Sequence, residues 1–308
     1  MKALITGISG FVGQYLEQLL TLHSIPVIGT TRIKRKEKNW LPLDLLSEEQ
    51  IVLLLKMVNP SHIFHLAGIS NVKYSWSGRK DVMEANTIAT INLLEAVKKV
   101  NKRIRVITIG SSEEYGRVVK SKVSENEPLN PISPYGISKA AVSMLSQLYY
   151  MADNLNVIHV RPFNHIGPGQ RLGFVTSDFA NQIALINTAV LQSQKINIGN
   201  LDAIRDFTDV RDIAAAYYDI AVCGNAGEIY NVCSGKGTKI EEVLEIFLSF
   251  SKIPIEINKD KSKLRPSEIP VMIGNNEKLI SKSNWKPKIA LEKSLHDIYQ
   301  YWLSKYLL

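Results

Sequence analysis

Tyr135 and Lys139 lie four residues apart in the stretch Ser133-Pro134-Tyr135-Gly136-Ile137-Ser138-Lys139. On a helix this spacing puts both side chains on one face, a turn apart. The local sequence predicts such a helix: Ser133 is a favourable N-cap, Pro134 suits the first helical position, and Ala140, Ala141, Met144, Leu145 and Leu148 continue it. A phenol, with a reference value of about 10, keeps its proton at neutral pH and rarely acts as a base. An ammonium beside it favours the phenolate and brings that value down toward the working range. The pair therefore reads as a tuned proton donor or acceptor. The plainer alternative is a surface tyrosine resting on a lysine stem.

Two further clusters must be brought to that helix. The strand predicted over 105–109 ends in Gly110-Ser111-Ser112-Glu113-Glu114-Tyr115-Gly116. Open α/β sheets bind ligands at the carboxyl ends of their strands, so hydroxyls and carboxylates here fit a site better than an exposed polar turn. At the N-terminus a strand over 2–6 meets Gly7-Ile8-Ser9-Gly10-Phe11-Val12-Gly13 and then a helical pattern through Leu16, Leu19 and Leu20. A glycine-rich turn between strand and helix lets backbone approach a diphosphate at a helix N-terminus. We therefore expect Gly7, Gly10, Phe11, Val12 and Gly13 to hold a dinucleotide.

The second strand, over 26–30, ends where such sites read the adenosine ribose. No acidic residue follows it. Arg32 does, placed for a 2′-phosphate, and this favours NADP(H), with NAD(H) as the alternative. The basic residues after it, Lys34, Arg35, Lys36 and Lys38, read as a solvated loop. Asp44 and Leu45 fall where the adenine would lie, although Asp44 is equally placed to start the helix at Ser47. The strand from Ile63 runs through Leu66 into Ala67 and Gly68, small residues that let the chain pass close to the cofactor, so Leu66 and Ala67 are expected to contact it, while His65 reads as a packed histidine. In the helix predicted over 79–100, Asn86 interrupts the apolar pattern and is placed to bond a strand or a loop near the cofactor.

The 308 residues suffice for one large α/β domain or two smaller ones, and 45% hydrophobic content is ordinary for a globular chain. No apolar run reaches the length of a membrane span, and the first strand begins too early for a signal peptide. Cys223 and Cys233 have neither metal-site nor disulfide spacing, so we expect no metal, two ordinary thiols and a cytoplasmic protein. The net charge of +8 suits anionic ligands, but no basic stripe is interleaved with aromatics, so nucleic acid is not expected. Beyond the strand over 156–161, a Gly/Pro-rich passage over 162–170 leads into helices over 176–191, 210–218, 240–250 and 291–306 and a strand over 228–232. The reading is a doubly wound parallel sheet with a smaller C-terminal lobe. Residues 1–163, with 205–233 returning, form the dinucleotide domain, and 164–204 with 234–308 form the substrate lobe.

With the Gly7-Gly10-Gly13 turn, Ser111, Tyr135 and Lys139 all in place, nearly the whole chain resembles the extended short-chain dehydrogenases/reductases that act on nucleotide sugars. Arg161-Pro162-Phe163-Asn164-His165-Ile166-Gly167-Pro168-Gly169-Gln170, Phe174-Val175, Asp178-Phe179, Arg205-Asp206-Phe207 and Arg265-Pro266-Ser267-Glu268 look like its GDP-mannose branch. Within that branch they are most similar to the reductases of GDP-4-dehydro-6-deoxy-D-mannose. The resemblance implies a Rossmann sheet carrying NADP(H) and a lobe that closes over a GDP-sugar. It makes Tyr135 the general acid and Lys139 its partner on the nicotinamide ribose, and Ser111 the hydrogen-bond partner of the sugar oxygen at C4. Ser112, Glu113, Asn164, Arg205, Arg265 and Glu268 would contact substrate, and a four-helix bundle would make a homodimer. The resemblance leaves open 4,6-dehydration, with Glu113 as base at C5, and C4 epimerisation. Dehydratases typically carry Thr at the position of Ser111. A dinucleotide sensor without turnover remains as an alternative from another class, but it would have no need of Ser111, Tyr135 and Lys139 together.

Overall fold

The computed structural model describes residues 1–33, 35–118, 120, 122–190, 193–260 and 269–307, so Arg265 and Glu268 lie outside the described residues. In chain order the first half runs β1 (Ala3–Thr6), α1 (Phe11–Leu22), β2 (Val27–Thr31), β3 (Trp40–Pro42), α2 (Glu48–Val58), β4 (His62–His65), α3 (Val72–Ser75), α4 (Arg79–Met83), α5 (Ala89–Val100), β5 (Arg105–Ile109), α6 (Pro134–Asp153) and β6 (Val157–Pro162). The second half runs β7 (Asn164–Ile166), α7 (Val175–Asn187), β8 (Lys195–Ile198), β9 (Ile204–Asp209), α8 (Val210–Cys223), β10 (Ile229–Val232), β11 (Gly237–Lys239), α9 (Ile240–Ser249), β12 (Glu256–Lys259), β13 (Val271–Met272), α10 (Glu277–Ser283) and α11 (Leu291–Ser304).

Seven strands form one parallel sheet in the order β10-β6-β5-β4-β1-β2-β3. The order reverses between β1 and β4, which opens a crevice at the carboxyl ends. β1 is buried at every residue because helices cover both faces. Its residues alternate: Ala3 and Ile5 pack with α1 and α8, and Leu4 packs with α2 and α5. A separate apolar cluster joins α7, α9 and α11 over β8 and β9. There β7, β11 and β13 gather around β9, and β8 pairs with β12.

The expected doubly wound sheet is the observed one, and β10 and α8 return to it from the second half. The helix expected over 79–100 is interrupted by a π turn, Glu84–Ile88, centred on Asn86. The segment over 205–209, read as the lead into a helix, is instead the strand β9 at the heart of the small sheet. β8, β12, β13, α3 and α10 were not anticipated. β12 is exposed throughout, β8 buries only alternate residues, and β13, α3 and α10 are two, four and seven residues long, so none offers the apolar run that marks the central strands.

Candidate functional site

The end of the sheet where the sequence places the cofactor is built from turns that exclude side chains. Gly7 has φ +73°, and a Cβ on it would lie 2.8 Å from both the Cα and the N of Ala67. The glycine turn is therefore packed directly on the Leu66-Ala67 backbone after β4. A Cβ on Gly13 would lie 2.5 Å from the Ile8 carbonyl oxygen. Gly10 is the N-cap of α1, which has no side-chain cap and no acidic residue in its first turn. Unsatisfied N–H groups and the positive end of the helix dipole remain there for an anion. Phe11 stacks on His165 with ring centroids 6.1 Å apart, and Val12 packs on the core beneath.

Arg32 is exposed just past the end of β2. Asp44 is exposed too; one carboxylate oxygen accepts from the Leu46 N–H at 2.9 Å, while Ser47 caps α2. Leu45 is half-buried, and its carbonyl accepts from Asn92. His65 is packed between Thr6 and Thr90 at 2.8 and 3.0 Å, and burial lowers its pKa to about 3. Glycine cradle, uncapped helix and free-standing arginine together fit a dinucleotide with a 2′-phosphate. The bound cofactor would rest on Gly7, Gly10 and Gly13 and lie alongside Ala67.

The reactive groups meet beside that turn. Ser133 caps α6 by accepting from the Gly136 N–H at 3.0 Å, as its type and the following proline predict. Tyr135, Lys139 and Ser111 are all buried, at 7%, 8% and 8% exposure, and the Ser111 hydroxyl accepts from the Glu113 N–H at 3.2 Å. The Lys139 ammonium lies 6.0 Å from the Tyr135 ring and donates to the Ile109 carbonyl at 2.7 Å. Asn86 ties this helix to the turn after β4. It accepts from the Ile69 N–H at 2.7 Å and donates to Ser138 at 2.9 Å.

One expectation needs correction. The lowering of the phenol by its lysine neighbour does not emerge. Burial pushes the Tyr135 phenol above its ordinary value, Glu113 and Glu114 add to the rise, and only the Ser111 hydroxyl opposes them. Burial also lowers Lys139 to about 8, against the pull of Glu114. Desolvation disfavours both charged forms and is the largest influence on each. At neutral pH the site therefore holds a protonated phenol.

Glu114 was not singled out from the sequence, although Ser111-x-x-Glu114 is a capping-box pattern. Its fully buried carboxylate accepts from the Ser111 N–H at 2.7 Å and from Arg161 Nε at 2.8 Å. Glu113, its neighbour, is half-buried and faces a cavity instead. Ser112 is buried in the short 3₁₀ turn that carries both glutamates.

That cavity, of about 300 Å³, lies between the turn after β4 and the small lobe. Glu113, Asn164 and Arg205 line it, as do Phe174, Val175, Asp178 and Phe179 at the start of α7. Asn164 is exposed into it. Arg205 donates to the carbonyls of Ile204 and Pro270. Lys73, Asn197 and Asn200 complete polar walls that no periodic signal marks. Phe174, the N-cap of α7, supplies no side-chain cap, but unlike α1 this helix carries a carboxylate in its first turn, Asp178, which accepts from the Gly173 N–H at 2.8 Å. Glu113 stands where the cavity meets the Ser111 turn.

The sequence model of GDP-mannose 4,6 dehydratase matches residues 4–298. The chain is 33% identical to GDP-6-deoxy-D-mannose reductase of Pseudomonas aeruginosa, with 99% of this chain and 98% of that one covered. It is 28% identical to GDP-6-deoxy-D-talose 4-dehydrogenase of Aggregatibacter actinomycetemcomitans, over 91% of this chain and 90% of that one. The solved structure of RMD from Pseudomonas aeruginosa complexed with NADPH is similar at a TM-score of 0.88 and 32% identity, covering 99% of this chain and 100% of that one. A seven-stranded parallel sheet, a glycine cradle beside a buried Ser-Tyr-Lys set, and a sequence match spanning nearly every residue agree: the chain belongs to the GDP-mannose 4,6 dehydratase family.

Proposed function

We propose that the protein reduces the C4 ketone of GDP-4-dehydro-6-deoxy-D-mannose to GDP-D-rhamnose, using NADPH. The observation that carries this reading is the buried cluster of Ser111, Tyr135 and Lys139 beside the turn whose Glu113 lines the cavity, where burial raises the Tyr135 phenol so that it keeps its proton. A ketone reduction needs a proton donor at the carbonyl oxygen, whereas a reaction that begins by oxidising C4 needs a base there. The bound dinucleotide supplies the hydride. Tyr135 gives its proton to the C4 oxygen as charge develops, and Ser111 hydrogen-bonds the same oxygen. Lys139 would hold the nicotinamide ribose and help return a proton to the phenolate. Arg205 would take the sugar-nucleotide diphosphate, with Asn164 beside the sugar. The likeness to GDP-6-deoxy-D-mannose reductase supports the same substrate.

In this division of labour the sheet unit, 1–163 with α8 and β10 returning to it, carries the cofactor, and the small lobe, which includes β9 and not only the expected 164–204 and 234–308, carries the sugar nucleotide. We also assign the protein to the cytoplasm, where its two free thiols would stay reduced.

The competing family reaction is 4,6-dehydration, and Glu113 at the cavity edge is the residue that would serve it. The two separate cleanly. We expect stoichiometric NADPH consumption with the purified 4-keto sugar and no ketone from GDP-mannose. Glu113→Gln should slow reduction less than tenfold. Catalytic conversion of GDP-mannose to the 4-keto-6-deoxy sugar, abolished by Glu113→Gln, would establish the dehydratase instead.

Arg32, exposed past β2, sets the cofactor choice in this reading. A charge-assisted contact with the 2′-phosphate contributes about 1.5–3 kcal/mol, or roughly one to two decades of affinity. Fluorescence titration should show NADPH bound more tightly than NADH, with Arg32→Ala removing most of the difference. Equal affinities in the parent protein would show that the side chain has no such role.

We further propose a homodimer joined through α6 and the α4–α5 helix in a four-helix bundle. Ile137, Met144, Leu148 and Met151 form an exposed apolar stripe on α6, at 50%, 61%, 53% and 72% exposure. Ile88 is exposed on the neighbouring helix. A helix apolar on two faces calls for a second partner. Sedimentation should give a dimer at micromolar concentration and a monomer for Met144→Glu/Leu148→Glu. A monomeric parent protein would contradict the arrangement.

A further inference from the structure

Beneath the reactive groups runs a buried polar network that takes no part in the chemistry derived above. Glu114 is its centre. One oxygen accepts from the Ser111 N–H at 2.7 Å and faces His159 Nε2 at 3.2 Å, while the other accepts from Arg161 Nε at 2.8 Å. Gly110 leaves the room for this, because a Cβ there would lie 1.9 Å from the Glu114 oxygen. Arg161, also buried, donates onward to Ser143 at 2.9 Å, to Tyr115 at 3.0 Å and to the Glu125 carbonyl at 3.2 Å. Ser143 lies on α6 one turn beyond Lys139. A second rung runs from His159 through Thr108 to Ser146 on the same helix, at 2.9 and 2.8 Å.

Two rungs thus join the turn carrying Ser111 to the helix carrying Tyr135 and Lys139. We propose that Glu114, clamped by Arg161, is the positioning residue of this site: it fixes the Ser111 turn against α6 so that the Ser111 hydroxyl and the Tyr135 phenol converge on one oxygen, with the Lys139 ammonium alongside. The proposal rests on the reductase reading for its substrate and adds the device that sets the geometry. A carboxylate is needed because two donors on different elements must be met at once, and an amide offers one oxygen.

Glu114 also bears on the charge of Lys139. The groups facing that ammonium are His65 from β4, His159 from β6, Glu114 from the turn and Tyr135 from its own helix. Burial keeps both histidines neutral at ordinary pH, which leaves Glu114 as the charge that favours the ammonium.

The test compares Glu114→Gln with Glu114→Leu/Arg161→Met. The double variant removes both charges, so no buried ion is stranded and the fold is retained. In both, we expect KM for the keto sugar and NADPH affinity to stay within about threefold of the parent, while kcat falls roughly a hundredfold, the scale of a misplacement near 1 Å. The alkaline limb of the Glu114→Gln pH profile should move to lower pH. Melting in the double variant should return to the parent value without return of kcat. Recovery of kcat together with melting temperature would reduce the network to a stability role and overturn the proposal. If the parent gives no product from the keto sugar, the reductase reading fails by itself, and Lys139 titration, followed by NMR of isotope-labelled lysine assigned with Lys139→Met, decides the present one. A midpoint unchanged by Glu114→Gln would overturn it.

Discussion

Tyr135→Phe is expected to lower turnover by roughly 10²–10⁴, the contribution of one placed general acid. At about 1.36 kcal/mol per decade this amounts to some 3–5 kcal/mol of barrier. Binding should survive, because the substitution removes one oxygen from a ring whose packing is unchanged. The Lys139 ammonium still reaches the Ile109 carbonyl, and Ser133 still caps α6. The effect should therefore appear in kcat, with KM and NADPH affinity close to the parent values. The pH profile supplies a second check. Lys139, lowered to about 8 by burial, loses its charge as pH rises through that value, so the parent rate should fall on the alkaline side. Its own phenol, raised by burial, keeps its proton throughout this range and adds no limb there. Near-parent turnover in Tyr135→Phe would remove the phenol from the mechanism.

Gly7→Ala should be the most damaging single methyl in the molecule's first turn. The added carbon meets backbone on the far side, Cα and N of Ala67 at 2.8 Å, and no rotamer can move it away. The left-handed φ of +73° adds about 1–2 kcal/mol for a non-glycine residue. Relief requires the turn after β1 to separate from the turn after β4, the two turns on which we propose the cofactor rests. We expect NADPH affinity to fall by about two decades, with a melting temperature lower by roughly 5–10 °C. Gly169→Ala is the control. Gly169 shares the left-handed backbone, at φ +85°, but has open space where the Cβ would go. It should show a small loss of stability and unchanged cofactor binding. Equal losses in the two variants would mean that backbone strain, not the closeness of the two turns, governs the cleft.

What could be read without coordinates was whatever rests on near neighbours in the chain. The Ser133 cap, the proline after it and the four-residue step from Tyr135 to Lys139 are local, and α6 begins and presents that pair as its sequence predicts. The same holds for the glycine turn of α1 and for the sheet, whose short apolar strands alternate with helices of clear period. Tertiary structure decided the rest, because the deciding contacts join distant segments. The capping-box spacing from Ser111 to Glu114 folds that carboxylate back onto the turn, but nothing near it says that the turn is buried. That depends on Arg161, 47 positions on, and on a glycine at 110 that admits it. β9 was unreadable for a related reason: its pairing partners β7, β11 and β13 come from three separate stretches. The sign of the Tyr135 shift is the clearest case. Proximity to a lysine is legible from spacing, but burial is a property of everything packed around the ring, and here desolvation is the largest influence on the phenol.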